Sequence, residues 1–295
     1  MQIQDPYASP GVYRKAQLHC HTQRSDGRFT PYDLAARYRD TGYAFVCFTD
    51  HGVVTRCDDL NDGTFLALSG VEETITRGIR PLGPHLGRLL VDEALGVGSA
   101  QERIARTLQA GGVPVLHHPS WTGNLWTGSW TDATIAGLRG PFLVEIWNPH
   151  SNTAEDVRRW MIAVRAHGPA VPIGGVAADD CHTPAQFNRA WVTVKVAAVS
   201  AAALREALLS GAFYASTGVE AEFASDRDAI TVRSDADEAV VLDASGVRRA
   251  VLAGGAGRYT PAGDERFVRI ECLAGPRRAW SQPFWINVRN ASAVR

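Results

Sequence analysis

The chain carries nine histidines, and the first two are placed to act together. His19 and His21 stand at i and i+2 in Leu18-His19-Cys20-His21-Thr22, and Ser25-Asp26-Gly27 follows. Side chains at i and i+2 leave an extended strand from the same face, so two neutral imidazoles there line one cavity or share one metal ion. The Asp26-Gly27 turn brings a carboxylate back over the strand end. Further along, Asp50-His51, Glu72, His85, His118 and Asp180-Cys181-His182 each close or flank an apolar run of strand length. One such histidine, taken alone, reads as a hydrogen-bonded core residue or a surface residue. The whole set is a field of imidazoles and carboxylates without a cysteine ligand set, which suits Zn, Mn or Fe in a hydrolytic centre better than a structural zinc. Two ions about 3.5–4 Å apart acidify a shared water, so hydroxide becomes the nucleophile at neutral pH.

The elements that must gather these residues are legible from periodicity. Strands are expected at 15–21, 43–49, 65–70, 85–90, 113–116, 142–147, 171–177 and 191–196. Helices are expected from Thr30-Pro31, over 99–110, 132–138 and 153–166, and over 200–209. Buried strands alternating with helices predict an α/β fold with a parallel sheet or barrel. In a (β/α) barrel the strand ends converge on one face, which is where the acidic and histidine residues fall. Beyond Ser216 the helical period disappears. Short runs at 219–223, 229–233, 239–242, 248–252, 267–272 and 284–288 predict a small antiparallel β-domain, sandwich-like. The expected division is residues 1–215 and residues 216–295, closely packed because no flexible linker separates them.

Composition narrows the function classes. The chain has 295 residues, a formal net charge of −1 and no long basic run, which does not favour nucleic acid as a partner. A small-molecule substrate is the expected partner, and the oligomeric state is open. The five cysteines are odd in number and include no CxxC, as in a reducing compartment. No basic n-region precedes an apolar run at the start, and no uninterrupted apolar segment is long enough to span a bilayer, so the expected location is cytoplasmic.

His19-x-His21 with Ser25-Asp26-Gly27, then Thr49-Asp50-His51, Gly70-Val71-Glu72, His118-Pro119 and Asp180-x-His182, resembles the successive motifs of the PHP (polymerase and histidinol phosphatase) superfamily over roughly residues 15–215. The resemblance implies a distorted (β/α)7 barrel holding two or three divalent ions and hydrolysing a phosphoester. It places His19 and His21 on one ion with Glu72 and Asp180. Glu72 would bridge to a second ion that also takes His118 and His85. Asp26, His51 and His182 would hold a third, with Asp26 standing where many relatives have a histidine. Glu72, Asp180 and His182 would surround the metal-bound hydroxide. His118-Pro119-Ser120-Trp121, Glu145-Ile146-Trp147-Asn148 and Phe213-Tyr214-Ala215-Ser216-Thr217-Gly218 further resemble a branch with a C-terminal β-domain that includes carbaryl-type carbamate hydrolases. For that branch the alternative substrate is an aryl carbamate or carboxylic ester. A metal-binding module without activity is the remaining reading.

Neighbouring strand residues face opposite sides, so adjacent candidates must be separated. His118 is preferred to His117 because the family motif puts the ligand directly before proline. Glu72 is preferred to Glu73, and Asp180 shares a face with His182. Asp50 is expected to orient an imidazole rather than to bind an ion. Arg24 and Arg77 are candidates for holding an anionic group. Trp121, Trp126 and Trp130 are expected to wall the pocket, with Trp147 either joining them or lying in the core.

Overall fold

The chain's local signals are realised in the computed structural model, which describes residues 2–76 and 82–286. Arg77 and the far end of the last expected strand, Asn287 and Val288, lie outside the described residues. Thr30 caps helix Pro31–Asp40 by accepting the Asp33 N–H. Ser99 and Glu102 form a reciprocal capping box on Ala100–Gln109. Asn152 caps Thr153–His167, and Gly168, at φ 67°, ends it. No helix among the described residues is long and apolar enough to cross a membrane.

Among the described residues the strands form three sheets, and none closes into a barrel. This corrects the expected (β/α)7 barrel. A five-stranded sheet runs in the order Gly70–Thr74, His85–Leu89, Val113–Leu116, Phe142–Trp147 and Ile173–Ala177. Its first two pairings are antiparallel and its last two parallel. An eleven-stranded sheet contains the parallel trio Val12–Gln17, Tyr43–Cys47 and Leu66–Leu68. On its other side Val12–Gln17 pairs antiparallel with Trp191–Val196, which pairs with Phe213–Ser216. The same sheet continues through Arg277–Trp280 into Phe267–Ala274 and Glu238–Asp243. Ala221–Ser225, Ile230–Ser234 and Gly257–Tyr259 form the third sheet.

Two glutamines account for the open seam beside Ile173–Ala177. The Gln282 amide accepts the Gly175 N–H at 2.8 Å and donates to the Gly175 carbonyl at 2.9 Å. Gln17 Oε1 accepts from the backbone N–H groups of Leu18, His19 and Asp179 at 3.1–3.2 Å, while its Nε2 donates to Ala190 O. A buried backbone group needs a partner but not a strand partner. Here side-chain amides stand where a neighbouring strand would, and the sheets meet through the isolated bridges Cys20–Cys181 and His51–Glu72.

Asp156, on Thr153–His167, is fully buried and accepts from the Ser120 N–H and the Ser151 hydroxyl, tying the loop after His118 to this helix. Burial pushes its carboxyl up to about 6 against those hydrogen bonds. An acid with a raised folded pKa keeps its proton longer in the folded state, so its stabilising contribution is greatest in acid and is lost as pH rises through about 6. Asp156→Asn should therefore gain stability relative to the parent between about pH 4 and pH 7, by up to about 3 kcal/mol. Urea unfolding at each pH measures the difference, and a constant offset would refute the assignment.

Candidate metal centre

His19 and His21 leave the end of Val12–Gln17 on one side, and the following turn folds back over them. A Cβ on Gly27 would lie 2.2 Å from the His21 carbonyl oxygen, so glycine is what permits that approach. Asp50 locks the turn. Its carboxylate accepts from Thr22 N–H at 2.7 Å and from the hydroxyls of Thr22, Ser25 and Thr55 at 2.8, 2.7 and 2.6 Å. This corrects the expectation that Asp50 orients an imidazole: it holds the loop that carries Asp26.

Glu72 lies at the centre and is 1% exposed. Its Oε1 is 3.1 Å from His85 Nδ1, 2.8 Å from His117 Nδ1 and 3.2 Å from His118 Nε2. Its Oε2 is 3.1 Å from His51 Nδ1 and 3.4 Å from His21 Nε2. Asp180 Oδ1 approaches His19 Nε2 at 3.1 Å and His21 Nε2 at 3.2 Å, and those two nitrogens are 3.1 Å apart. Asp26 reaches His21, His51 and His182 at 3.4–3.5 Å. The structure thus brings His19, His21, Asp26, His51, Glu72, His85, His118, Asp180 and His182 into one cluster.

One further carboxylate and one adjacent histidine complete it. Glu145 Oε1 is 2.7 Å from His19 Nδ1, and its Oε2 accepts the His118 N–H at 2.6 Å. His118 has φ 27°. That left-handed backbone breaks strand alternation, so His117 and His118 both turn onto Glu72 instead of facing apart. Asp180, at φ 46°, is likewise left-handed, and Asn148 Nδ2 donates to its Oδ2. Sequence reasoning assigned no role to Glu145 or His117. The available signal was a lone carboxylate in the apolar run Phe142–Trp147.

The electrostatics balance within the cluster. Burial would raise the Glu72 carboxyl, but the His85 and His19 imidazoles and hydrogen bonds from His117 and His118 hold it well below the ordinary range. Burial opposes charge on Asp180 as well, and His19 and His21 outweigh it. Burial also disfavours the His19 imidazolium, yet Asp180, Glu145 and Glu72 raise its pKa well above the usual value. At His21 burial wins and the pKa falls.

The donor set fits divalent ions. A carboxylate only accepts, so His19 directs its Nδ1 proton at Glu145, and in the neutral ring that a metal ion requires Nε2 would present its lone pair toward His21 Nε2 and Asp180 Oδ1. Asp180 Oδ1, His85 Nδ1 and His118 Nδ1 are buried without a hydrogen-bond partner among the described residues. Ligand atoms within 4.8 Å of one another occur in the groups His21–Asp26–His51–His182, His19–His21–Glu72, His19–His118–Asp180 and His51–Glu72–His85. A divalent ion would take up these converging nitrogen and oxygen atoms in a buried space.

The cluster floors a cavity of about 560 Å³ whose wall includes Trp121, Asn124, His150, Thr183 and Gln186. Trp121 meets the rings of His85 and His118, each with centroids 4.9 Å away. The expectations for Trp126 and Trp130 are corrected. Trp126 is 84% exposed and outside this wall. Trp130 is buried and donates Nε1–H to the His85 carbonyl, so it supports a ligand-bearing strand from behind. Trp147 packs against the core. Arg24 is exposed and outside the wall as well.

No family model matches the chain, and no curated protein matches its sequence. Among solved structures it is similar to a two-domain protein containing a predicted PHP-like metal-dependent phosphoesterase from Bacteroides vulgatus. Identity is 17% over 97% of this chain and 90% of that one, with a TM-score of 0.55. The chain shares its overall fold with that protein. A protein from Bifidobacterium adolescentis assigned by prediction as a metal-dependent phosphoesterase is 18% identical over 68% of this chain and 98% of its own, with a TM-score of 0.45. An amidohydrolase from Chromobacterium violaceum is 16% identical over 57% and 88%, with a TM-score of 0.39. The likeness to the Bacteroides vulgatus protein is one of fold and does not reach the carbamate-hydrolase branch.

Proposed function

We propose that the chain is a metal-dependent hydrolase that cleaves a phosphoester of a small molecule. The observation that carries this reading is the convergence of buried, unpartnered imidazole and carboxylate atoms on Glu72 and Asp180 at the floor of an open cavity. His19, His21, Glu72 and Asp180 would hold one ion, His85 and His118 with Glu72 a second, and Asp26, His51 and His182 a third. When bound, such ions supply Lewis acidity and a water acidified to near-neutral pH. Zn, Mn and Fe all suit these donors. The chain's other residues bind and orient. Asn148 fixes the Asp180 carboxylate, and Gln186 Oε1 holds the backbone of His182 and Thr183. His182 Nδ1 donates to the Asp180 carbonyl at 2.8 Å, which leaves Nε2 directed at Asp26. On this reading residues 1–215 carry the chemistry and residues 216–295 form the β-domain behind it.

Trp121 in the wall favours a second reading, in which the same centre cleaves an aryl carbamate or carboxylic ester. Steady-state kinetics of the metal-loaded protein with aryl phosphate mono-, di- and triesters, beside aryl carbamates and esters, separates the two. Turnover of at least one phosphate ester class is expected. Negligible turnover of every phosphate ester, with carbamates or esters consumed, would replace the first reading by the second.

A further inference from the structure

We propose that His117 is a positioning residue for Glu72: it carries no ion itself and fixes the carboxylate on which the site converges. The inference rests on the metal-centre reading above. His117 is fully buried and its Nδ1 lies 2.8 Å from Glu72 Oε1. Because the carboxylate only accepts, that nitrogen carries the ring proton and is committed. The main chain of Gly87 packs over the ring on its Nε2 side. A Cβ there would lie 2.1 Å from Nε2 and 2.4 Å from Cε1. Cε1 is nearly as close as Nε2 and Cδ2 is 3.0 Å away, so the Gly87 backbone packs over the face of the ring, while Nε2 is buried without a hydrogen-bond partner among the described residues. The ring is then held from the side by His19, stacked at 3.6 Å between centroids with 19° between planes.

The contact His117 makes with the site is the one from Nδ1 onto Glu72. Its ligand atoms fall within 4.8 Å of those of His19 and Glu145 because the rings are stacked, not because the atoms aim at a common point. Without the His117 N–H, Glu72 Oε1 faces His85 and His118 with nothing behind it, and the carboxylate can rotate away from either. Gly87 belongs to the same device, since any side chain at that position displaces the ring.

Zn²⁺ alone is the probe, titrated into chelator-stripped protein against a chromophoric competitor, with bound metal counted separately. His117→Ala is expected to weaken Zn²⁺ binding about 10- to 100-fold while leaving the number of ions bound at saturation unchanged. His117→Gln, whose amide N–H can donate to the same oxygen, should recover most of the loss. Gly87→Ala should reproduce the loss with the imidazole still in the chain, and it carries the test alone should His117→Ala not fold. A His117→Ala protein that binds one ion fewer at saturation would make His117 a ligand and overturn the proposal. Parent-like affinity in both His117→Ala and Gly87→Ala would overturn it as well. Parent protein that takes up no Zn²⁺ overturns the metal reading itself, and this inference with it.

Discussion

Glu72→Gln is expected to lose bound metal and to lower kcat/KM by at least about 10³-fold, the scale on which one preorganised charge in an active site counts. Glutamine has nearly the shape of glutamate, so the change is in charge and hydrogen-bond direction rather than packing. Glu72 Oε1 faces three imidazole nitrogens within 3.2 Å, and Oε2 faces His51 at 3.1 Å and His21 at 3.4 Å. The variant must turn an NH₂ toward one of these groups, placing a donor where ligands need a shared anion. It also removes the negative charge that its neighbours hold fully ionised in the buried site. Metal content after exhaustive dialysis, kcat/KM and near-UV circular dichroism together read the outcome. A folded Glu72→Gln protein with parent metal content and turnover within tenfold of the parent would show that Glu72 does not hold the metal.

The residues that sequence reasoning reached are those whose partners are set by local geometry. His19 and His21 share a face because a strand repeats every two residues. Thr30, Ser99 and Gly168 mark helix ends because caps act within one turn. The features it missed depend on pairs distant in the chain or on a broken local rule. The open seam needs Gln282 against Gly175, 107 residues away, and Gln17 against Asp179, 162 residues away. Neither pairing leaves a periodic trace, so alternating strands and helices read as a closed barrel. Divergence of neighbouring strand residues leaves room for one of His117 and His118, and the motif selects His118; that divergence fails where His118 enters the left-handed region at φ 27°. The tryptophans show the limit of composition. Trp121, Trp126 and Trp130 occur within ten positions of one another, yet one lines the cavity, one faces solvent and one is buried behind His85.

Glu145→Gln is expected to weaken metal binding about 10- to 100-fold, the usual cost of removing the group that orients a ligating histidine. Glu145 is fully buried and serves two donors from opposite oxygens: His19 Nδ1 at 2.7 Å and the His118 N–H at 2.6 Å. Asn148 Nδ2 also donates to Oε2, at 3.0 Å. Glutamine offers one acceptor oxygen for these three donors. If that oxygen stays with the His118 N–H and Asn148, the new NH₂ meets His19 Nδ1, which must then accept. The His19 proton moves to Nε2, and the lone pair that faces His21 and Asp180 is lost. If the oxygen instead serves His19, the His118 N–H meets a donor, and the left-handed turn that brings His118 onto Glu72 loses its anchor. Either arrangement disables one ligand without touching it. Competition titration with a chromophoric chelator measures the affinity, and ¹⁵N chemical shifts of the His19 ring report which tautomer is present. Unchanged affinity with His19 still protonated on Nδ1 would show that the imidazole is oriented by the surrounding packing and not by Glu145.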